Sequence, residues 1–171
     1  GTNWSEVNDL NSGRYAIGGT GTTEAALAAG GSGTTPNKYN EEWNGTNWSE
    51  VGDLIADSGF GSTSGTVNDA IHKRNLYAPL GYATEFWDGS AWSEGADSTV
   101  DRRELGHTVA GTTSCAIVFG GMTPSIPITD TEIYDGTSWS TGAGTIDYGR
   151  RYGCGAGSNL SAGGAIWAAG Q

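Results

Sequence analysis

The chain has 171 residues, 30 of them Gly and only 4 Pro, with seven Trp, seven Tyr and three Phe. Glycine without a three-residue period excludes collagen, and so many large rings exclude a disordered linker. Nineteen acids against eight bases give a formal charge of −11, which disfavours phosphate backbones and anionic membranes as partners.

In chain order, the first element is the hexapeptide Gly1-Thr-Asn-Trp-Ser-Glu. Arg14 follows, then a Gly21-Thr22 turn and the apolar strand Ala25-Ala-Leu-Ala-Ala, which ends in Gly30-Gly31. Tyr39 and the segment Glu41-Glu-Trp-Asn-Gly lead into a second hexapeptide, Gly45-Thr-Asn-Trp-Ser-Glu. Asn-Gly supplies the positive φ angles of a tight two-residue hairpin, so this predicts two strands carrying aromatics to a common interior.

The second round has no opening arginine. Its segment Ile71-His-Lys-Arg-Asn reads as a polar loop, and Leu76-Tyr-Ala-Pro-Leu-Gly as a worn double-glycine strand. Glu85-Phe-Trp-Asp-Gly and Gly89-Ser-Ala-Trp-Ser-Glu complete it. The third round runs through Arg102 and Arg103, Gly111-Thr112, Cys115-Ala-Ile-Val-Phe-Gly120-Gly121, Glu132-Ile-Tyr-Asp-Gly and Gly136-Thr-Ser-Trp-Ser-Thr. The chain closes on Arg150, Arg151 and Ala165-Ile-Trp-Ala-Ala-Gly.

Trp4, Trp48, Trp92 and Trp139 are spaced by 44, 44 and 47 residues, so the chain is a repeat protein. The predicted unit has four strands: an arginine strand, with Arg14, Arg103 and Arg151 as its repeat positions, a double-glycine strand, an aromatic strand and a Trp-Ser-Glu strand. One domain of residues 1–171 then divides into repeats near 11–54, 55–98 and 99–145, with a partial unit from 146–171 and 1–10. Four strands in about 44 residues is the size of a propeller blade.

At this point the sequence resembles the kelch family, in which a double glycine after an apolar strand is followed by a Tyr and then a Trp. Gly30-Gly31 precedes Tyr39 and Trp48, and Gly120-Gly121 precedes Tyr134 and Trp139. The wording of the repeat is similar to kelch-like proteins of environmental bacteria and their phages. The resemblance implies an all-β propeller of about four four-stranded blades, in surface, tail-associated or other extracellular proteins. The partial unit lacks its aromatic strand. A longer propeller, a four-bladed ring with one thin blade, and a gap filled by another subunit are the three arrangements that fit.

Catalytic chemistry finds little footing. His72 and His107 lack metal-ligand spacing and read as structural or solvated. Asp88 and Asp135, like Asp9, Asp53 and Asp97, recur periodically and read as turn residues; a carboxylate pair would have to be assembled from different blades. The Asp-Gly-Thr-x-Trp segments lack the Ser-x-Asp start of a sialidase Asp-box. Kelch blades also carry copper oxidases with two His and two Tyr ligands and a Cys joined to one Tyr. Cys154 near Tyr148 and Tyr152, with His107, invites that comparison, but no second ligand His is placed. Cys115 reads as a buried free thiol, with a Cys115–Cys154 bridge as the alternative. The arginines read as bridges to an acid of a neighbouring blade, or else as channel-lining groups. Asn3, Asn44, Asn47 and Asn159 head Asn-x-Ser/Thr sequons and are candidate glycosylation sites.

The expectation is therefore a non-enzyme with no cofactor and no metal, located outside the cell or on a virion. Its expected partners are other copies of itself, other blades of a longer chain, or glycans that stack on exposed Trp. No apolar run is long enough to enter a membrane. No secretion leader is recognisable, and a chain beginning at Gly1 leaves export open.

Overall fold

The computed structural model describes residues 3–33, 35–75, 82–105, 109–156 and 166–168. Among these residues there are fourteen β-strands and no helix, so none is long and apolar enough to cross a membrane. The first sheet comprises β1 (Gly18–Gly21), β2 (Ala26–Ala29), β3 (Asn40–Trp43) and β4 (Trp48–Glu50). The second comprises β5 (Ser62–Thr66), β6 (Asp69–Lys73), β7 (Thr84–Trp87) and β8 (Trp92–Glu94). The third comprises β9 (Val109–Gly111), β10 (Ala116–Phe119), β11 (Asp130–Tyr134) and β12 (Trp139–Thr145). Each is an antiparallel meander with its strands in chain order, and β13 (Cys154–Ala156) pairs with β14 (Ile166–Ala168) in a further two-stranded sheet.

The aromatic pattern fixes the register. Trp43 lies opposite Trp48, Trp87 opposite Trp92, and Tyr134 opposite Trp139. Their ring centroids are 5.5, 5.4 and 5.4 Å apart, so the same tilted pair closes each four-stranded sheet. Two indoles are tied down further: Trp43 Nε1 donates to Thr23 O at 3.0 Å and Trp87 Nε1 to Val67 O at 2.8 Å.

The turn between these partners is not the expected two-residue hairpin. It has four residues, because the Asx side chain satisfies the turn amides itself. Asn44 Oδ1 accepts from the N–H groups of Thr46 and Asn47, Asp88 Oδ1 from those of Ser90 and Ala91, and Asp135 Oδ1 from those of Thr137 and Ser138. Only the glycine takes a positive φ, 90–94° at Gly45, Gly89 and Gly136. These bonds hold the Asp88 and Asp135 carboxyls below the usual carboxylate range.

The alternation of a strand splits the core. Ala70 of β6 packs with Leu27, Ala29, Leu54, Trp87 and Trp92 between the first and second sheets. Its neighbour Ile71 packs with Leu105, Ala116, Val118, Tyr134 and Trp139 between the second and third. The middle sheet is thus sandwiched. Leading strands run beside one another, β1 by β5, β5 by β9 and β9 by β13. The approach is close enough that a Cβ on Gly18 would collide with Thr63 Oγ1, and Thr20 Oγ1 donates to Gly65 O at 2.7 Å.

Three expectations are corrected. The leading strands of the first and third sheets begin after the arginine, so Arg14 and Arg102 lie in the approach to them, and β1 and β5 are Gly- and Ser/Thr-rich. The second strand of the second sheet is Asp69–Lys73, so His72 sits inside a strand and is fully buried rather than in a loop. Its polarity concealed it; the worn strand Leu76–Gly81 lies outside the described residues. Finally, the free thiol of Cys115 is half-buried rather than buried, and Cys154 is free as well, so the alternative Cys115–Cys154 bridge is not formed. Cys115 closes the β9–β10 turn while Cys154 starts β13, at opposite ends of the leading strands.

Candidate functional site

A buried glutamate organises each complete sheet. Glu41, Glu85 and Glu132 occupy the same place on β3, β7 and β11, two residues before the aromatic, and all are solvent-excluded. Each accepts N–H bonds from the segment that enters its sheet. Asn11 N donates to Glu41 at 2.7 Å, Ile55 N to Glu85 at 2.8 Å, and Thr99 N to Glu132 at 2.5 Å. Each also meets a guanidinium: Arg14 with Glu41, Arg74 with Glu85 at 3.3 Å, and Arg102 with Glu132 at 2.8 Å.

Each arginine therefore bonds the glutamate of its own sheet, not of a neighbour; Arg14 and Arg102 do so from the segment just before the leading strand. Of the adjacent pair it is Arg102, not Arg103, that is buried in this role. Arg102 Nη1 also reaches Gly120 O and Asp130 O, both at 2.8 Å. Backbone bonds assign the fourth repeat likewise: Gly121 N donates to Arg150 O as Gly31 N donates to Ser58 O, so Arg150 rather than Arg151 matches Arg14. Arg151 pairs with Glu104 at 3.0 Å on the surface, its side chain 46% exposed.

The second sheet solves the same problem differently. Ser58 stands where Arg14 and Arg102 stand, and the guanidinium comes from Arg74, at the position of Gly30 and Gly120. Those glycines have φ of 65° and 62°, and their missing side chains let Ser58 O and Arg150 O approach. The space beside Ser58 holds His72, whose Nε2 lies 2.8 Å from Ser58 Oγ and Nδ1 2.7 Å from Thr63 Oγ1. Burial, with Arg74 and Lys73 nearby, pushes the His72 pKa down to about 3. Burial likewise lowers Lys73 to about 7, with Nζ 3.4 Å from Ala83 O.

The surrounding charge decides each carboxyl. Burial would raise Glu41, but the Arg14 side chain and the Asn11 and Ser12 amides outweigh it and hold it below its usual value. At Glu85 burial prevails over the Ile55 and Ala56 amides and the longer Arg74 contact, and the pKa is raised.

A second feature lies where the leading strands begin. Ala16, Phe60, Glu104 and Tyr152, spaced by 44, 44 and 48 residues, all have φ between 53° and 60°. Such backbone is uncommon outside glycine and an outlier for a bulky ring. Phe60 N donates to Ala16 O at 3.2 Å and Tyr152 N to Glu104 O at 2.7 Å. The Phe60 and Tyr152 rings, from the second and fourth repeats, come within 6.3 Å. The four starts thus converge on one mouth, whose cavity of about 130 Å³ is lined by Asn37, Phe60, Asn75, Arg103, Glu104 and Tyr152 among others. Asn37 Oδ1 is buried there without a protein partner. Nothing in the sequence announced this mouth, since its four defining positions share no residue type.

The remaining expected positions scatter. Trp92 and Trp139 are buried, Trp48 is half-buried, and Trp4 is fully exposed. Asn3, Asn44 and Asn47 are exposed; Asn159 and His107 lie outside the described residues. Among the described residues no group of three or more His, Cys, Asp or Glu is placed to hold a metal ion. Ser58 and His72 form a hydrogen-bonded pair, but both are closed off from solvent.

The fold and these sites define an all-β protein of repeated four-stranded antiparallel sheets, each tied to its entering segment by a buried glutamate. The chain matches no protein-family model and no curated protein.

Proposed function

We propose that the chain is a kelch-like β-propeller of about four blades, acting as a non-catalytic structural or binding module in an extracellular or virion-surface assembly. Successive meanders packed face to face, leading strands side by side and a convergent mouth support the propeller reading. The acidic, Ser/Thr-rich surface and outward-turned sequons suit an exposed setting.

The observation that carries the assembly reading is the unequal cover of the sheets. The middle sheet is packed on both faces, whereas the first exposes an apolar groove of about 680 Å³ lined by Trp4, Val7, Ala26, Trp43 and Trp48 among others. On the third sheet Ile133 is exposed. Faces and edges of this kind join other chains. Light scattering together with electron microscopy of one sample is expected to show rings or filaments of repeated copies. A monomer of 17.6 kDa at all concentrations would remove the self-assembly part of the reading.

A second reading, sugar binding, is favoured by the mouth. Aromatic faces, two amides, a guanidinium and a carboxylate are the groups that stack on and hydrogen-bond a pyranose. Calorimetric titration with neutral monosaccharides is expected to give saturable heat, with an affinity that Tyr152→Ala lowers at least about tenfold, a loss near 1.4 kcal/mol. Equal affinities for both proteins would rule the mouth out.

A further inference from the structure

We infer that the mouth selects a saccharide carrying one carboxylate, a uronic acid, and that Arg103 is the residue that holds its acid group. The inference rests on the sugar-binding reading above and names the class of sugar.

The repeat determines which side chains stand around the mouth. Immediately before the four positive-φ residues come Tyr15, Gly59, Arg103 and Arg151, one from each repeat. Gly59 contributes no side chain, and a Cβ there would collide with Ser32 Oγ. Arg151 is engaged twice, with Glu104 at 3.0 Å and over the Tyr152 ring at 5.7 Å. Arg14, Arg74 and Arg102 each meet a glutamate. Among the described residues, by contrast, the half-buried Arg103 guanidinium has no hydrogen-bonding or ionic partner. Its backbone is clamped nonetheless: Arg103 N donates to Met122 O and Met122 N to Arg103 O, both at 2.9 Å. The next residue, Glu104, is held at a φ of 55°. An unpaired cation on a clamped, strained backbone at a cavity is the arrangement expected of a binding residue.

A lone guanidinium matches a planar acceptor with two oxygens. Charge then limits what that acceptor is. Arg103 balances one negative charge, while Glu104 in the same wall and a formal chain charge of −11 oppose a second, which favours a carboxylate over a phosphate. The rest of the wall suits a hydroxylated ring rather than a bare acid. Asn37 Oδ1, buried without a protein partner, is an acceptor in need of a donor such as a sugar hydroxyl. Asn75 is 6% exposed, and its Nδ2 bond to Phe60 O at 3.2 Å fixes the second amide. The Phe60 and Tyr152 rings lie 6.3 Å apart, and Tyr15 continues the row 6.2 Å from Phe60, an apolar flank for a pyranose. The cavity of about 130 Å³ takes the acid end and part of one ring, leaving the remainder of the sugar against these aromatics.

The test is calorimetric titration of the whole protein with glucuronic acid, glucose and acetate at neutral pH and low ionic strength. Glucuronate is expected to bind at least about tenfold more tightly than either glucose or acetate. Arg103→Gln is expected to bring the glucuronate-to-glucose affinity ratio close to one. Glu104→Gln, which removes the opposing carboxylate and releases Arg151, is expected to raise it. Because each variant is read as a ratio of two sugars, a general weakening of the mouth does not imitate the result. Where Arg103→Gln fails to fold, Arg103→Lys reads the same ratio: it keeps the charge, loses the fork, and is expected to show a reduced preference. Equal affinity for the two sugars, or a preference that survives Arg103→Gln, overturns the inference and leaves the sugar reading in place. Loss of both sugars by a folded Arg103→Gln protein also overturns it, since Arg103 then serves ring and acid alike. Acetate binding as tight as glucuronate, or no binding by any of the three, overturns the inference and the sugar reading together.

Discussion

Glu132→Ala is expected to lower the unfolding free energy by about 3–5 kcal/mol, the range found when one partner of a buried ion pair is removed. Arg102 is fully buried, and its Nε bond to Glu132 at 2.8 Å is its contact with a counter-charge. Its two carbonyl partners, Gly120 O and Asp130 O, cannot neutralise a guanidinium. The substitution also strips the acceptor from Thr99, which donates both N–H and Oγ1 to the same carboxylate oxygen. Thr99 follows β8 and Glu132 sits on β11, so the loss falls on the joint between two sheets. Urea unfolding read by Trp fluorescence measures it. Two companions sharpen the result. Arg102→Met with Glu132→Met removes both charges and is expected to cost less than Glu132→Ala alone. Arg151→Ala breaks the exposed pair with Glu104 and is expected to cost less than about 1 kcal/mol. A Glu132→Ala protein within about 1 kcal/mol of the parent would mean that Arg102 escapes to water.

How far this architecture can be read from the sequence depends on the range of the forces involved. The Trp-closed hairpins are local: an Asx, a glycine and two rings within about six residues determine them, so they recur visibly. The leading strands are opaque because Gly18-Gly-Thr-Gly and Ser62-Thr-Ser-Gly pack against neighbouring backbone, where a small side chain matters more than an apolar one. The arginine looked like a strand marker, yet it serves a glutamate nearly 30 residues away. Nothing local separates Arg102 from Arg103 or Arg150 from Arg151. In the second sheet the usual residues are traded together: Ser58 for an arginine, Arg74 for a glycine, His72 for Ala28 or Val118. Each change alone reads as a lost repeat feature, and only the shared space shows that they compensate.

That traded cluster makes the chain acid-sensitive by a predictable amount. His72 has a folded pKa of about 3 against an ordinary value of 6.5. The unfolded chain therefore binds a proton that the folded chain refuses, and stability falls as pH drops from 6.5 toward 3. The full effect is roughly 5 kcal/mol, since each pH unit of refusal is worth about 1.4 kcal/mol. The hydrogen bonds do not cause it: the Ser58 and Thr63 hydroxyls can donate or accept and would serve either form of the ring. Desolvation opposes the charge, reinforced by Arg74 and Lys73. Lys73 acts in a separate window, costing stability as pH falls from 10.5 to about 7 and then levelling off. His72→Val installs the residue found at the matching place in β10. It should cost about 1–3 kcal/mol at pH 8, because the buried Thr63 and Ser58 hydroxyls lose the ring, Ser58 keeping the Asn75 N–H, yet flatten the acid limb by about one proton. Urea titrations of both proteins from pH 8 to pH 4 give the two slopes. Convergence of the stabilities as pH falls is the expected result; parallel curves would mean that the ring is solvated and that this sheet is packed differently.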